Sequence, residues 1–209
     1  MNKIIITIGR ELGSGGRTIG KEVANSLGIA YYDRQIIDDA AKISGLSADY
    51  IQNSEEALSN SFLYSLVMNT SYASSLFADP KTTLPLDTQV YLAQQKAITD
   101  LAEQGSCVIV GRCADYILKD KEKLLRCFIY APIESRIERA VNEYGADKSN
   151  AKKMIRQMDK RRSSRYNAYT DKIWGARENY DLMINSSLLG IEGSCDLIIK
   201  SFKKIKDQN

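Results

Sequence analysis

The stretch IIITIGRELGSGGRTIGKEVANSL, residues 4–27, constrains the fold more than any other part of the chain. Ile4, Ile5, Ile6 and Ile8 form a nearly continuous β-branched run. Such a run suits a parallel strand buried on both faces, because a half-solvated strand would alternate apolar with polar residues. Gly13, Ser14, Gly15 and Gly16 follow. Ile19, Val23, Ala24 and Leu27 then recur on one helical face until Gly28 stops the pattern. Strand, glycine loop and helix therefore succeed one another directly.

That order gives the glycines a task. A helix N-terminus offers unpaired N–H groups and the positive end of a dipole, and residues without side chains let those donors wrap a phosphate. Arg17 adds charge to the phosphates and Thr18 a hydroxyl for Mg²⁺. This is the logic of the Walker A loop, G-x-x-x-x-G-K-[ST], with two departures. Glu11 occupies the first glycine position and puts a carboxylate near a phosphate site. Arg17 replaces the lysine, and a planar fork holds two oxygens where an ammonium is a point charge. The competing reading is a strand-to-helix turn with no ligand, and Arg17-Thr18 at the helix start speaks against it.

A length of 209 residues makes one ordinary α/β domain, 1–209. Lys plus Arg, 29, against Asp plus Glu, 26, gives a net charge of +3, which neither demands nor excludes an anionic ligand. The four cysteines form no C-x-x-C pair, and without histidine the pattern argues for reduced core thiols and against zinc. The N-terminal apolar run is broken at once by Gly9-Arg10-Glu11, unlike a signal peptide, so the expected location is the cytoplasm. No serine or cysteine stands beside a plausible base, which leaves a nucleophile dyad unsupported. Phosphoryl transfer needs none.

Ala30-Tyr31-Tyr32 reads as a strand ending at Asp33, on the carboxyl edge where open α/β sheets bind ligands. Asp33 either holds a Mg²⁺-bound water, a sugar hydroxyl or a neighbouring arginine, or caps the helix through Ile36, Ile37, Ala40 and Ile43. Residues 46–88 interrupt the rhythm. Residues 57–78 carry no charge, but their many Ser, Asn and Thr rule out a membrane span. Phe62, Leu63, Leu66 and Val67 recur with helical spacing, so this is a helical insertion. Asp87 or Thr88 then caps a helix that ends at Gly105. Cys107–Val110 is a buried strand stopping at Gly111-Arg112. An arginine there is hard to explain as packing, whereas bidentate capture of an acceptor phosphate explains it. Leu124–Tyr130 is a strand, and Pro132 opens a helix on which Arg136 and Arg139 read as solvated or paired with Glu134, Glu138 and Glu143. Between 147 and 170 the charge thickens, with Asp159, Arg162 and Arg165 at spacings of three. Asp181–Asn185 is the last strand, before a closing helix from Ile191 to Lys206. Five strands with intervening helices make a layered α/β sheet with its loops on one edge.

The segments GSGGRTIGKEVANSLGIAYYDRQII, VIVGRCADYIL and YDLMINSS resemble the cytidylate kinase-like family of P-loop proteins, relatives of nucleoside monophosphate kinases. The resemblance implies a three-layer P-loop fold with a five-stranded parallel sheet, ATP as co-substrate and Mg²⁺. It places Gly13, Ser14, Gly15, Gly16, Arg17 and Thr18 on the ATP phosphates, Thr18 on Mg²⁺ with Asp33 through water, and Asp33 and Arg112 on the acceptor. It makes 46–88 a cover for the acceptor and 147–170 a lid, whose Arg162 and Arg165 join Arg17 in catalysis. Cys113 stands where cytidylate kinases carry the aspartate of G-R-D, which leaves phosphate binding intact but removes a base or sugar contact that Asp115 is near enough in sequence to replace. The implied activity is ATP-dependent phosphoryl transfer to a nucleoside monophosphate, CMP, dCMP or a related small phosphate acceptor. The alternative is a P-loop regulator that binds nucleotide without turnover. Two rival partners arise: a second copy of the chain through 57–78, since so uncharged a helix wants cover, and nucleic acid at the basic run, diluted by Asp147, Asp159 and Asp171.

Overall fold

The computed structural model describes residues 3–56 and 84–207. The segment 57–83 lies outside them, and with it the proposed 57–78 face and most of the insertion. Strand β1 (Ile5–Arg10) leads through the glycine loop into α1 (Gly16–Leu27), followed by β2 (Ala30–Tyr32), α2 (Gln35–Ser44) and α3 (Ala48–Glu56). After 84 come α4 (Leu86–Gln104), β3 (Cys107–Val110), the short α5 (Ala114–Ile117), β4 (Leu124–Tyr130), α6 (Ile133–Tyr144), α7 (Lys148–Tyr169), β5 (Leu182–Asn185) and α8 (Ser186–Lys206).

The described strands form one sheet in the order β2-β3-β1-β4-β5. Every pairing is parallel, with Ile5 opposite both Cys107 and Leu124. The isoleucine run is therefore the central strand, and its alternation feeds two cores. Ile4, Ile6 and Ile8 pack with Ile19 and Val23 of α1 and Ile198 and Phe202 of α8. Ile5 points the other way, into Ile36 of α2 and Ile98 and Leu101 of α4. Ile6 and Ile8 are wholly buried, and each such side chain contributes about 1.5–3 kcal/mol relative to exposure. Helix layers on both faces make the three-layer fold, and parallel strands bring Arg10, Asp33, Gly111 and Asn185 to one edge.

Several boundaries differ from expectation. Helix α4 starts at Leu86 after Pro85, and Thr88, read as a cap, is a buried residue inside it. Pro85 sets an extended backbone whose carbonyl already accepts from Thr88 N–H at 2.9 Å, so no Asp or Thr cap is required. Pro132 is the residue before α6 rather than its first. Asp33 does not cap α2; Arg34 stands at that position without a side-chain cap, because the Asp33 carboxylate is engaged elsewhere. Helix α8 begins at Ser186 and is interrupted at Gly190 (φ 66°) before the expected segment. Helix α7 shows only a weak stripe of Met and Ile in sequence, yet Tyr166 and Tyr169 bury themselves as anchors, Tyr169 stacking on Tyr91 with centroids 4.1 Å apart. All four cysteines are free and buried, and burial pushes the Cys107 thiol up to about 12. Among the described residues no helix is long and apolar enough to cross a membrane.

Candidate active site

Above the strand ends lies a cleft of about 640 Å³, a volume ordinary for a small-ligand site. Six arginines line it, Arg10, Arg17, Arg34, Arg112, Arg162 and Arg165, together with Lys21, against the carboxyls of Asp33 and Asp115. Asp33 is the hub: Arg112 Nη1 donates to its Oδ1 at 3.0 Å and Arg17 Nε meets its Oδ2 at 2.6 Å. One carboxylate does not neutralise the cations around it. Burial, and then the charge of Arg162, pushes the Arg10 guanidinium down to about 9. An arginine keeps its proton in a protein, so the Arg10 guanidinium stays charged despite its burial and its cationic neighbours.

Burial alone would raise the Asp33 carboxyl, but Arg10, Arg112 and Arg17 outweigh it and hold the group below the usual aspartate range. A folded-state value below the unfolded one means stability that is present above about pH 4–5 and lost as pH falls through the depressed value. Asp33→Asn should therefore cost roughly 3 kcal/mol at pH 7, the scale of stranding buried cations. It should also flatten the acid limb of stability against pH. Denaturant unfolding at pH 7 and at about pH 3 or lower, beneath the unfolded aspartate value, checks this, and an unchanged midpoint at pH 7 would remove Asp33 from its place as the hub.

Arg112 reaches Asp33 from an unusual turn. Gly111, Arg112 and Cys113 have φ of 75°, 55° and 57° in succession. Two non-glycine residues in the left-handed region cost about 1–2 kcal/mol each, and such strain gathers where a site needs a particular shape. At Gly111 a Cβ would collide with the Arg10 guanidinium, so the glycine makes room for the buried cation. Nothing in the residue types of Arg112-Cys113 announces this turn.

The glycine loop is held at its carbonyls, three of them by side chains from α6 and α8. Glu11 O accepts from Ser14 Oγ at 2.9 Å, Leu12 O from Arg136 Nε at 2.8 Å, Gly13 O from Arg139 Nη1 at 3.1 Å and Ser14 O from Ser186 Oγ at 2.6 Å. Gly15 O accepts from Ile19 N–H at 2.9 Å. In a trans peptide the next N–H points opposite to the carbonyl, so the carbonyls of Leu12, Ser14 and Gly15 turn the amides of Gly13, Gly15 and Gly16 the other way, while Leu12 N–H is taken by Asp159 and Ser14 N–H by the Glu11 carbonyl at 3.3 Å. Gly15, in the left-handed region at φ 78°, precedes α1 and supplies no side-chain cap, and the first-turn amides of a helix have no partner within it. The loop is a row of donors shaped for an anion. Glu11, the departure from the Walker A pattern, turns away from it: its Oε2 accepts from Ala131 N–H at 3.1 Å and pairs with Arg136 at 3.0 Å.

Helix α7 closes one side of the cleft. Arg162 Nη1 donates to the Arg10 carbonyl at 3.1 Å, and Arg165 Nη2 to Gln94 Oε1 at 2.7 Å. Asp159 lies 4.0 Å from Arg162, and its near partners are Leu12 N–H at 2.8 Å and the Arg136 guanidinium. Tyr166 donates to Asp115 Oδ2 at 2.7 Å, and burial raises the Asp115 carboxyl above its ordinary value.

Arg17, Asp33, Arg112, Arg162 and Arg165 thus meet on one cleft, while Gly13, Ser14 and Gly15 form the loop before α1 and Gly16 and Thr18 lie in its first turn, beside the cleft rather than among its lining residues. Sequence reasoning missed Arg10, the last residue of β1, which sits between Arg162 and Gly111. It also misread Arg136, whose partners are Glu11 and Asp159 rather than the glutamates on its own helix. Arg139 does pair with Glu143, at 3.2 Å. The available signal for Arg10 was its position at the carboxyl end of the isoleucine-rich strand that precedes the glycine loop.

Sheet order, glycine loop and arginine-lined cleft together define a P-loop protein of the three-layer α/β kind. The model of the cytidylate kinase-like family matches residues 5–188, and the chain belongs to that family. A cytidylate kinase from Pyrococcus horikoshii is 28% identical over 92% of this chain and 84% of that one. The crystal structure of an uncharacterized protein from Eubacterium ventriosum superposes with a TM-score of 0.68 at 27% identity, covering 96% of this chain and 99% of the other. A shikimate kinase from Bacteroides thetaiotaomicron shares the fold at TM-score 0.53 and 13% identity, covering 96% of this chain and 98% of its own. Family and fold together support nucleotide-binding phosphoryl transfer.

Proposed function

We propose that the protein transfers the γ-phosphoryl group of ATP to a nucleoside monophosphate, with CMP and dCMP the first candidates and other small phosphate acceptors behind them, in the cytoplasm. The observation that carries this reading is the cleft lined by six arginines, two of them paired with Asp33, beside the glycine loop at the start of α1. Two phosphate-bearing ligands brought together would supply the anions that this charge lacks, and an acceptor phosphate is already a nucleophile, so positioning and charge neutralisation suffice. The loop Gly13–Thr18 holds the donor phosphates. Arg112 and Asp33 serve the acceptor, residues 46–88 cover it, and α7 within 147–170 is the lid that brings Arg162 and Arg165 to the transferred group. Mg²⁺ would be held by the Thr18 hydroxyl at the start of α1, with Asp33 acting through water, and would supply further neutralisation of phosphate charge.

A coupled assay of ATP consumption against all common ribo- and deoxynucleoside monophosphates tests the proposal. Turnover with one of them supports it. Tight ATP binding with no consumption across the panel would favour a nucleotide-binding regulator instead. With the acceptor in hand, Arg112→Ala should raise its KM about tenfold or more, since a charge-assisted bidentate contact contributes about 1.5–3 kcal/mol, with a smaller change for ATP. The reverse split would exchange the two sites.

A further inference from the structure

A buried ion network joins the glycine loop to α7. Arg136 of α6 is 6% exposed, and its guanidinium serves three partners: Nε donates to Leu12 O at 2.8 Å, Nη1 meets Glu11 at 3.0 Å, and Nη2 pairs with Asp159 Oδ2. Asp159, from α7, accepts from Leu12 N–H at 2.8 Å. Leu12 is thus gripped at both of its backbone polar groups, the N–H by the carboxylate of one helix and the carbonyl by the guanidinium of another, and the two gripping groups are bonded to each other. Glu11 ties the same guanidinium to the end of β4 through Ala131 N–H. At Gly13 the contact is closer still: φ is 79° and a Cβ would come within 2.6 Å of the Arg136 carbonyl. Arg162, one helical turn beyond Asp159, lines the cleft.

We propose that Arg136 and Asp159 are positioning residues that couple the seating of α7 to the shape of the glycine loop, so that the loop amides and the α7 arginines come into register together. This rests on the reading of the loop as a phosphate cradle. When α7 is seated, Asp159 fixes Arg136, and Arg136 holds the Leu12 carbonyl so that the Gly13 amide of the same peptide points the opposite way. Without Asp159 the Leu12 N–H loses its anionic acceptor and Arg136 keeps only Glu11 as counter-charge. Glu11 is the fixed end of the device, which gives a physical reason for a carboxylate where the Walker A pattern carries glycine.

The test is a double-variant cycle in the full chain, with ATP binding read by calorimetry and folding by thermal melting. Asp159→Asn keeps the shape and removes the charge, and Arg136→Lys keeps a cation that cannot hold three partners. Each should weaken ATP binding about tenfold, and the pair no more than the worse single change, because coupled groups are not additive. A structural staple alone would lower the melting temperature and leave the affinity of the folded protein unchanged. That result, or additive losses reaching about a hundredfold in the pair, would overturn the coupling. A second arm needs no ligand: in hydrogen exchange, Asp159→Asn should speed the Ser14 amide, which donates to the Glu11 carbonyl at 3.3 Å, about tenfold and leave those of β1 unchanged. Unchanged exchange at Ser14 overturns the inference. Faster exchange there in a protein whose parent form fails to bind ATP would uphold the coupling and sink the phosphotransferase reading.

Discussion

Arg162→Ala is expected to lower kcat about a hundredfold or more, on the scale that arginines contribute to phosphoryl transfer, with ATP binding nearly intact. The side chain is anchored on the Arg10 carbonyl, and burial pushes its guanidinium down, so it is a cation held ready in a place that favours charge neutralisation. A group that meets charge mainly in the transition state lowers kcat and kcat/KM together. Arg165→Ala should cost less, about tenfold, because that guanidinium already has Gln94 as acceptor and the Tyr169 ring 5.1 Å away. Steady-state kinetics on a verified acceptor decides the matter. Normal turnover in the double variant would show that α7 is not a catalytic lid.

Arg17→Ala should weaken ATP binding about a hundredfold, equivalent to losing two charge-assisted hydrogen bonds at about 1.5 kcal/mol each. The fold should survive, since the side chain is 66% exposed and its recorded ion pair is with Asp33, which Arg112 continues to hold. Arg17→Lys is the sharper probe. A lysine placed there supplies charge but no fork, so it cannot keep Asp33 and grip two phosphate oxygens together; a loss of about tenfold is expected. Calorimetry with ATP is the measurement, and wild-type affinity in Arg17→Ala would remove the loop from donor binding.

The parts of this architecture legible in sequence were those with local signals. The β1 run, the glycines, the strand at 107–110 and the arginine just past it all announce themselves within a few residues, and a parallel sheet brings such ends to one edge. What the sequence hid was long-range charge pairing. Arg136 has glutamates within helical reach, so local reasoning paired it with them, whereas its partners lie on the glycine loop and on α7. Glu11 looked like an intruder at a phosphate site because the donor that turns it away, Ala131 N–H, is a backbone group 120 residues on. Asp33 carried two local meanings, a helix cap or a partner for a ligand or an arginine; it is not the cap, and its carboxylate pairs with Arg112 and Arg17. Tyrosines anchoring α7 escaped notice because their apolar rings bury while their hydroxyls find partners, a combination that hydrophobic periodicity does not count.

The strand order also governs how the chain is made. Of the strands of this sheet, the one made earliest is its centre, and both of its neighbours, β3 and β4, lie about a hundred residues further on. At 5–20 residues per second of synthesis, an isoleucine run suited only to burial waits roughly 5–20 s for its partners. During that interval it offers two unpaired edges to any other nascent chain. Its safekeeping falls first to α1, the one element already beside it that can cover a face of the run, which makes the strand–loop–helix unit a shelter in biosynthesis before it is a site.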